Sequence, residues 1–301
     1  MDTLRFVKDG QLVGENEWFA QIDSLHTDFN DLEINKERAK RQLARAIIEA
    51  TKKRATGKFG ILFSGGVDSS LLAFIALKLG SNFTCYTVGI EGSDDIEWAK
   101  KVADEYKFNF RFRKLSLDEL ELNLKAVVKI VKNPDIVTVS VGSVFYSAAK
   151  LALSAGDNIL FGGLGSEEIF AGYQRHEEAL KKGNFEALHE ECWNGLRNML
   201  KRDLVRDYLI ASDLGIDMRV PFMDIDVVRI AMNIHAMHKL DSQNKKIILR
   251  DAAEFIGLKK EFAWRKKQAA QYGSNFVNGI EKLAKRKGFK YKKDYLQSLL
   301  K

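Results

Sequence analysis

Ser64, Gly65, Gly66, Asp68, Ser69 and Ser70 lie together in the stretch Phe59-Gly-Ile-Leu-Phe-Ser-Gly-Gly-Val-Asp-Ser-Ser-Leu-Leu-Ala73, where an apolar run breaks at a glycine pair before a helical pattern resumes. Such a string can cradle phosphate. Gly65 and Gly66 let backbone N–H groups approach oxygens without a Cβ in the way, and a helix starting behind them aims unpaired N–H groups and its positive dipole end at the same place. The hydroxyls of Ser64, Ser69 and Ser70 add donors. Asp68 would repel bare phosphate, which implies a divalent cation, Mg2+, between the two. The plainer explanation, Ser and Asp capping a helix, suits a lone glycine pair better than this whole string.

A second glycine-rich segment, Phe161-Gly-Gly-Leu-Gly-Ser-Glu-Glu-Ile-Phe-Ala-Gly-Tyr173, ends another apolar run and should face the first. Gly162 and Gly163 offer close backbone approach, and Glu167 and Glu168 follow. Alone, it reads as a tight turn with an acidic helix start.

Both segments need strands to deliver them. Residues 59–63, 82–90, 108–114 and 158–161 read as strands, and 68–78, 94–107, 116–131 and 142–155 as the helices between them. Strands alternating with helices predict an α/β fold, a parallel sheet with helices on both faces and ligands at the strands' carboxyl ends. Beyond Gly165 strand signals fade, and helical patterns over 184–199, 203–212 and 224–237 predict a mostly helical C-terminal half. Residues 1–35 read as a hairpin around Asp9-Gly10 plus a linker, 36–280 as the nucleotide domain, led by an amphipathic helix over 35–53, and 281–301 as a basic tail.

With 301 residues, 46% hydrophobic and 30% charged, the chain can bury a core and is neither disordered nor a membrane protein. No apolar run reads as long enough to span a bilayer and the first ten residues lack a signal-peptide core, so a cytoplasmic protein is expected. Cys85 and Cys192 stand far apart without a Cys-x-x-Cys or His cluster, which argues against zinc and disulfides and makes Cys85 a small buried residue. The net charge of +7 concentrates in the tail, where Lys282, Lys285, Arg286, Lys287, Lys290, Lys292 and Lys293 suggest a solvated helix first and an RNA contact second.

Taken together, the two loops resemble a known family. The string from Ser64 to Ser70 resembles the pyrophosphate-binding loop of the PP-loop ATP pyrophosphatases and lacks the Gly-Lys-Ser/Thr ending of a Walker A loop. The second segment resembles the Gly-Glu-Gly-Ser-Asp-Glu-Leu-Phe-Gly-Gly-Tyr motif of the synthetase domain of asparagine synthetases. Arg219-Val-Pro-Phe-Met-Asp224, Lys246-Ile-Ile-Leu-Arg250 and Trp264-Arg-Lys-Lys-Gln268 are similar to further segments of that family, in the same order.

The resemblance implies an ATP-dependent ligase. A carboxylate is activated as an acyl-adenylate with release of pyrophosphate, and ammonia or an amine then displaces AMP. Asp68 and Glu167 resemble the family's Mg2+ ligands, Lys246 its lysine near the reacting phosphorus, and Arg265 and Lys267 groups serving pyrophosphate. Val88 and Ser93-Asp94 occupy places that hold adenosine, while Arg219 is expected either to fix a loop or to touch substrate, and Asp224 to cap the next helix.

Two departures follow. Asp2 stands where glutamine-dependent members expose a nucleophilic cysteine, so the nitrogen is expected from free ammonia, an amine or a separate glutaminase subunit. Leu164 replaces a glutamate of the family motif and cannot accept a proton, which leaves Glu168 as the nearest alternative carboxylate. The alternatives are a PP-loop RNA-modifying enzyme that adenylates a nucleobase and a non-catalytic ATP-binding subunit; a homodimer stays open.

Overall fold

The computed structural model describes residues 4, 6–8, 10–266 and 268–300. The expected hairpin forms from β1 (Val7–Lys8) and β2 (Gln11–Leu12), which pair antiparallel; Asp9 of its turn lies outside the described residues. Five strands build the main sheet: β3 (Phe59–Leu62), β4 (Phe83–Gly89), β5 (Phe110–Lys114), β6 (Ile159–Phe161) and β7 (Asp217–Arg219). All pair parallel, in the order β5-β4-β3-β6-β7.

Alternation along the inner strands divides the interior in two. Phe59, Ile61 and Cys85 enter one apolar core, which helices Lys36–Arg54, Val67–Lys78 and Ile247–Ile256 cover. Tyr86, Val88 and Leu160 enter the other, under helices Leu117–Val131 and Ile136–Ser154. With both faces covered, the inner strands can be apolar on both sides, which is why they read as continuous apolar runs. Cys85 is buried as expected.

Chain direction reverses between β3 and β6. From β3 the chain runs outward to β4 and β5, then returns past β3 to β6 and β7. The carboxyl ends of β3 and β6 therefore flank the crevice where open parallel sheets bind ligands. Both glycine loops leave the sheet there.

Three expectations need correction. Strand β7 runs into Arg219-Val-Pro-Phe and ends at Arg219, and its three residues are too few to show an alternating pattern. The helix expected over 142–155 begins at Ile136, because Asp135 caps it by accepting from Thr138 N at 2.8 Å; the β-branched run Ile136-Val-Thr-Val hid this. That helix, Ile136–Ser154, is long and apolar enough by length and composition to cross a membrane, contrary to the expectation that no such run exists, and just over half of it is buried inside the fold.

The C-terminal end docks its apolar face and leaves most of its basic side chains in solvent, as expected of a solvated helix. Tyr295, Leu296 and Leu299 join the second core. Lys285 and Lys292 pair with Glu281, Lys287 with Glu121, and Arg286 with both Asp118 and Glu121, so much of the basic charge is already met by the protein's own carboxylates.

Candidate active site

The first loop is folded by its own hydroxyls. Ser64 N donates to Ser69 Oγ and Gly66 N to Ser64 Oγ, both at 3.3 Å, which closes the turn onto the start of helix Val67–Lys78. Gly65 has φ of +69°, and a Cβ there would stand 2.8 Å from Ala99 N, so neither its backbone conformation nor its surroundings admit another residue without movement. Ser70 Oγ is buried and finds no hydrogen-bond partner among the described residues.

Half-buried Asp68 and Glu167 meet around the buried Lys246. Lys246 is fully buried, and its Nζ donates to Asp68 Oδ2 at 2.7 Å, Asp68 Oδ1 at 3.0 Å, Glu167 Oε1 at 2.6 Å and Ser166 Oγ at 2.8 Å. Ser166 Oγ in turn donates to Asp68 Oδ1 at 2.7 Å. A buried ammonium is tolerated only with such partners. The backbone bends to achieve it: Lys246 has φ of 58° and Ala171 has 56°, a left-handed conformation that costs side-chain-bearing residues roughly 1–3 kcal/mol and clusters at functional sites. Ser166 was not singled out from sequence, although its place between Gly165 and Glu167 is the available signal.

Next to the cluster, but not lined by its side chains, lies a cavity of about 250 Å³. Ser64, Val88, Gly162, Gly163 and Leu164 line it, with Val141, Val144 and Phe145 of helix Ile136–Ser154 forming an apolar wall. Gly163 connects cavity to cluster, since a Cβ on it would stand 3.1 Å from Asp68 Cβ. On the other side of the first loop a smaller recess is lined by Ser64, Gly66, Asp68, Arg250, Arg265 and Gln268. Arg265 shapes that recess by donating to Ser64 O and, at 2.8 Å, to Asp95 Oδ1. Lys267 lies outside the described residues.

Glu168 faces elsewhere. It is buried, accepts from Arg202 Nη2 and lies 3.9 Å from Arg175 Nη2. Burial, with the nearby Asp203 charge, raises its carboxyl to about 7 even though Arg202 opposes the shift. It lines neither the cavity nor the recess. Beyond it runs a network that sequence reasoning missed, Arg202–Asp203–Arg206–Asp207, of which Arg206 and Asp207 reach the cavity wall. Single Arg and Asp residues along a helical pattern read as surface charge, so only folding reveals them.

The remaining expected residues have structural partners. Ser93 accepts from Ile96 N and donates to Gly273 O, holding the start of helix Asp94–Tyr106, while Asp94 accepts from Gln268 Nε2. Arg219 Nη1 donates to the backbone carbonyl of Arg54 and to Thr56 Oγ1, which ties down the end of helix Lys36–Arg54. Asp224 caps helix Ile225–Asn233 and pairs with the buried Arg54 at 2.8 Å.

Comparison with known proteins decides the family. The Asparagine synthase family model matches residues 39–187 and 181–293. The chain belongs to the asparagine synthase family. A protein of Methanocaldococcus jannaschii named as a glutamine-hydrolysing asparagine synthetase is 33% identical over 305 residues, covering 88% of this chain and 56% of its own length. Asparagine synthetase 1 of Lotus japonicus is 30% identical over 247 residues, covering 74% of this chain and 41% of its own length. The chain thus spans about half the length of the curated relatives it matches. Among solved structures, NMN synthetase from Francisella tularensis aligns with a TM-score of 0.42 at 11% identity, covering 88% of this chain and 94% of that one. The five-stranded parallel sheet with helices on both faces is the fold expected from the family's motifs.

Proposed function

We propose that this asparagine synthase family chain is an ATP-dependent ligase that activates a carboxylate as an acyl-adenylate, releases pyrophosphate, and passes the acyl group to ammonia or an amine. The observation that carries this reading is the cluster of Asp68, Ser166 and Glu167 around Lys246, set between a cavity for a nucleoside and a recess for phosphates.

The donor set fits Mg2+. Asp68, Ser166 and Glu167 present oxygen atoms alone, and they already converge on one cation, the Lys246 ammonium. Asp68 and Glu167 would hold the metal, which when bound supplies neutralising charge for the polyphosphate. The chain's own groups do the rest. Gly65 and Gly66 bring backbone N–H groups to the phosphates, and Arg265 fixes the loop by holding Ser64 O. Val88, Gly162 and Gly163 line the space for adenosine. Lys246 is placed to meet charge that builds as the substrate carboxylate bonds to the α-phosphorus and the bond to the β-phosphate oxygen breaks. Nitrogen then attacks the acyl carbon, AMP leaves, and one proton is lost. Leu164 in the cavity wall offers no acceptor for that proton, whereas Asp207, whose carboxyl burial raises above its usual range, stands on the same wall.

The relatives' names supply the nitrogen question, since they are called glutamine-hydrolysing and this chain spans about half their length. A separate glutaminase or free ammonia are both consistent sources. Incubation with ATP, Mg2+, ammonium and a panel of carboxylic acids should yield AMP and pyrophosphate with the right acid. Formation of ADP and orthophosphate, or no cleavage with any acid, would overturn the reading.

A further inference from the structure

Helix Glu15–Asp23 lies ahead of residue 39, where the match to the family model begins, and none of its residues lines the cavity beside the Lys246 cluster. It packs on the end of helix Phe185–Met199, just before the stretch that carries the arginine–aspartate network. Trp18 is the buried centre of that contact. Its indole Nε1 donates to Leu196 O at 3.0 Å and to Arg197 O at 3.2 Å, and its ring is fully enclosed. Around it Glu15 pairs with Lys201 at 2.8 Å and Asp23 with Arg197 at 2.6 Å, both partly open to solvent, where an ion pair holds little.

The π-turn Leu200–Leu204 follows those two carbonyls directly, and in it Val205 N donates back five residues to Leu200 O. A helical carbonyl ordinarily serves one N–H of the ladder. A second donor from outside draws it off the axis, and a side chain that engages the ladder in this way is a known cause of local distortion. Trp18 supplies that donor in the turn before the ladder widens. The widening changes the register of all that follows, because one extra residue in a turn sets later side chains back by about 100° relative to an uninterrupted α-helix. Arg206 and Asp207, the members of the network that reach the cavity wall, come after it in helix Val205–Leu214.

We propose that Trp18 is a positioning residue: its indole N–H holds the π-turn in place and thereby keeps Arg206 and Asp207 on the wall of the reaction chamber, with Asp207 ready for the proton of the incoming nitrogen. The proposal rests on the ligase reading for that proton transfer and on the indole contact for the brace. It acts on one half-reaction. Adenylation depends on the first glycine loop and on Lys246, none of whose hydrogen bonds runs to the π-turn, whereas the carboxylate that faces the nitrogen is set by the turn before it.

Two variants remove the N–H and keep the bulk. Trp18→Phe is the simpler; Trp18→benzothienylalanine, introduced by codon suppression, puts sulfur in place of the N–H at nearly constant shape and serves where Phe unfolds the chain. Ile22→Val, in the same helix and core but bonded to neither carbonyl, is the control for general loosening. Amide hydrogen exchange read by mass spectrometry should quicken about fivefold or more over residues 200–206 in the Trp18 variants and by less than about twofold in Ile22→Val. With the acid that supports AMP release in the panel above, ATP–pyrophosphate exchange should stay within about threefold of wild type, while AMP release driven by ammonium falls about tenfold. Unchanged hydrogen exchange over residues 200–206 in the isosteric variant, or the same quickening in Ile22→Val, overturns the brace. Quickened exchange with both half-reactions slowed alike, or neither slowed, overturns the positioning role. No AMP release by the wild type with any acid, alongside quickened exchange in the Trp18 variants, removes the ligase reading and keeps the brace.

Discussion

The place where a Cβ would stand on Gly172 is 1.8 Å from Glu167 Oε2 and 2.6 Å from Lys246 Cε. The absence of a side chain at Gly172 is therefore what lets Glu167 and Lys246 meet. Gly172→Ala should push them apart, lower the free energy of unfolding by about 1–3 kcal/mol through overpacking, and reduce AMP release by on the order of tenfold to a hundredfold. Gly14→Ala, with nothing within 4 Å of the added carbon, is the control: as a helix N-cap it should cost at most about 1 kcal/mol and leave AMP release unchanged. Urea unfolding and AMP formation measured on both variants check this; equal behaviour would show that the cluster tolerates displacement.

Lys246→Ala leaves Asp68 and Glu167 facing each other without their shared cation. Loss of a charge that acts on the transition state should lower the rate of adenylation by about a hundredfold or more, with the KM for ATP changing by less than about threefold. Single-turnover AMP formation and a KM determination distinguish this from a binding role. A large rise in KM with an unchanged rate would reassign Lys246 to ground-state binding.

Much of this site was legible in sequence because glycine-rich turns after strands carry a mechanism in their residue types. Ser64 to Ser70 and Gly162 to Glu167 arrive at the crevice that strand order creates, and Lys246 reaches them from a distant segment. The arginine–aspartate network was not legible. Arg202, Asp203, Arg206 and Asp207 lie on a helical pattern where charges ordinarily face water, and only packing against Glu168 and the cavity wall buries Asp203, Arg206 and Asp207 and half-buries Arg202. Strand β7 was missed for a different reason: three residues in register with β6 are defined by their neighbour, not by their own periodicity.

Asp68→Asn should reduce AMP release by about a hundredfold or more while the chain stays folded. Asparagine keeps the shape and one carbonyl oxygen for Lys246, so the cluster loses charge rather than packing, and Glu167 still pairs with the ammonium at 2.6 Å. If Asp68 and Glu167 hold Mg2+ as proposed, the variant should also need more metal, because one of the two anionic ligands is gone. Titrating Mg2+ at fixed ATP gives the half-saturating concentration; a curve identical to wild type would remove Asp68 from the metal site.

Glu168 gives a pH test with a definite sign. Its carboxyl is raised from 4.5 to about 7 by burial, so between those values the folded protein keeps a proton that the unfolded chain releases. Stability contributed by the protonated group is then fully present below about pH 4.5 and is lost as pH rises through about 7. Relative to Glu168→Gln, the wild type should lose on the order of 3 kcal/mol of unfolding free energy across that window. Urea unfolding of both proteins at about pH 5 and about pH 8 measures the difference. Arg202 works in the opposite direction by favouring the ionised form through its hydrogen bond to Glu168 Oε1. A difference that stays flat, or grows in favour of the wild type with rising pH, would mean that this ion pair outweighs burial and that Glu168 is a carboxylate throughout.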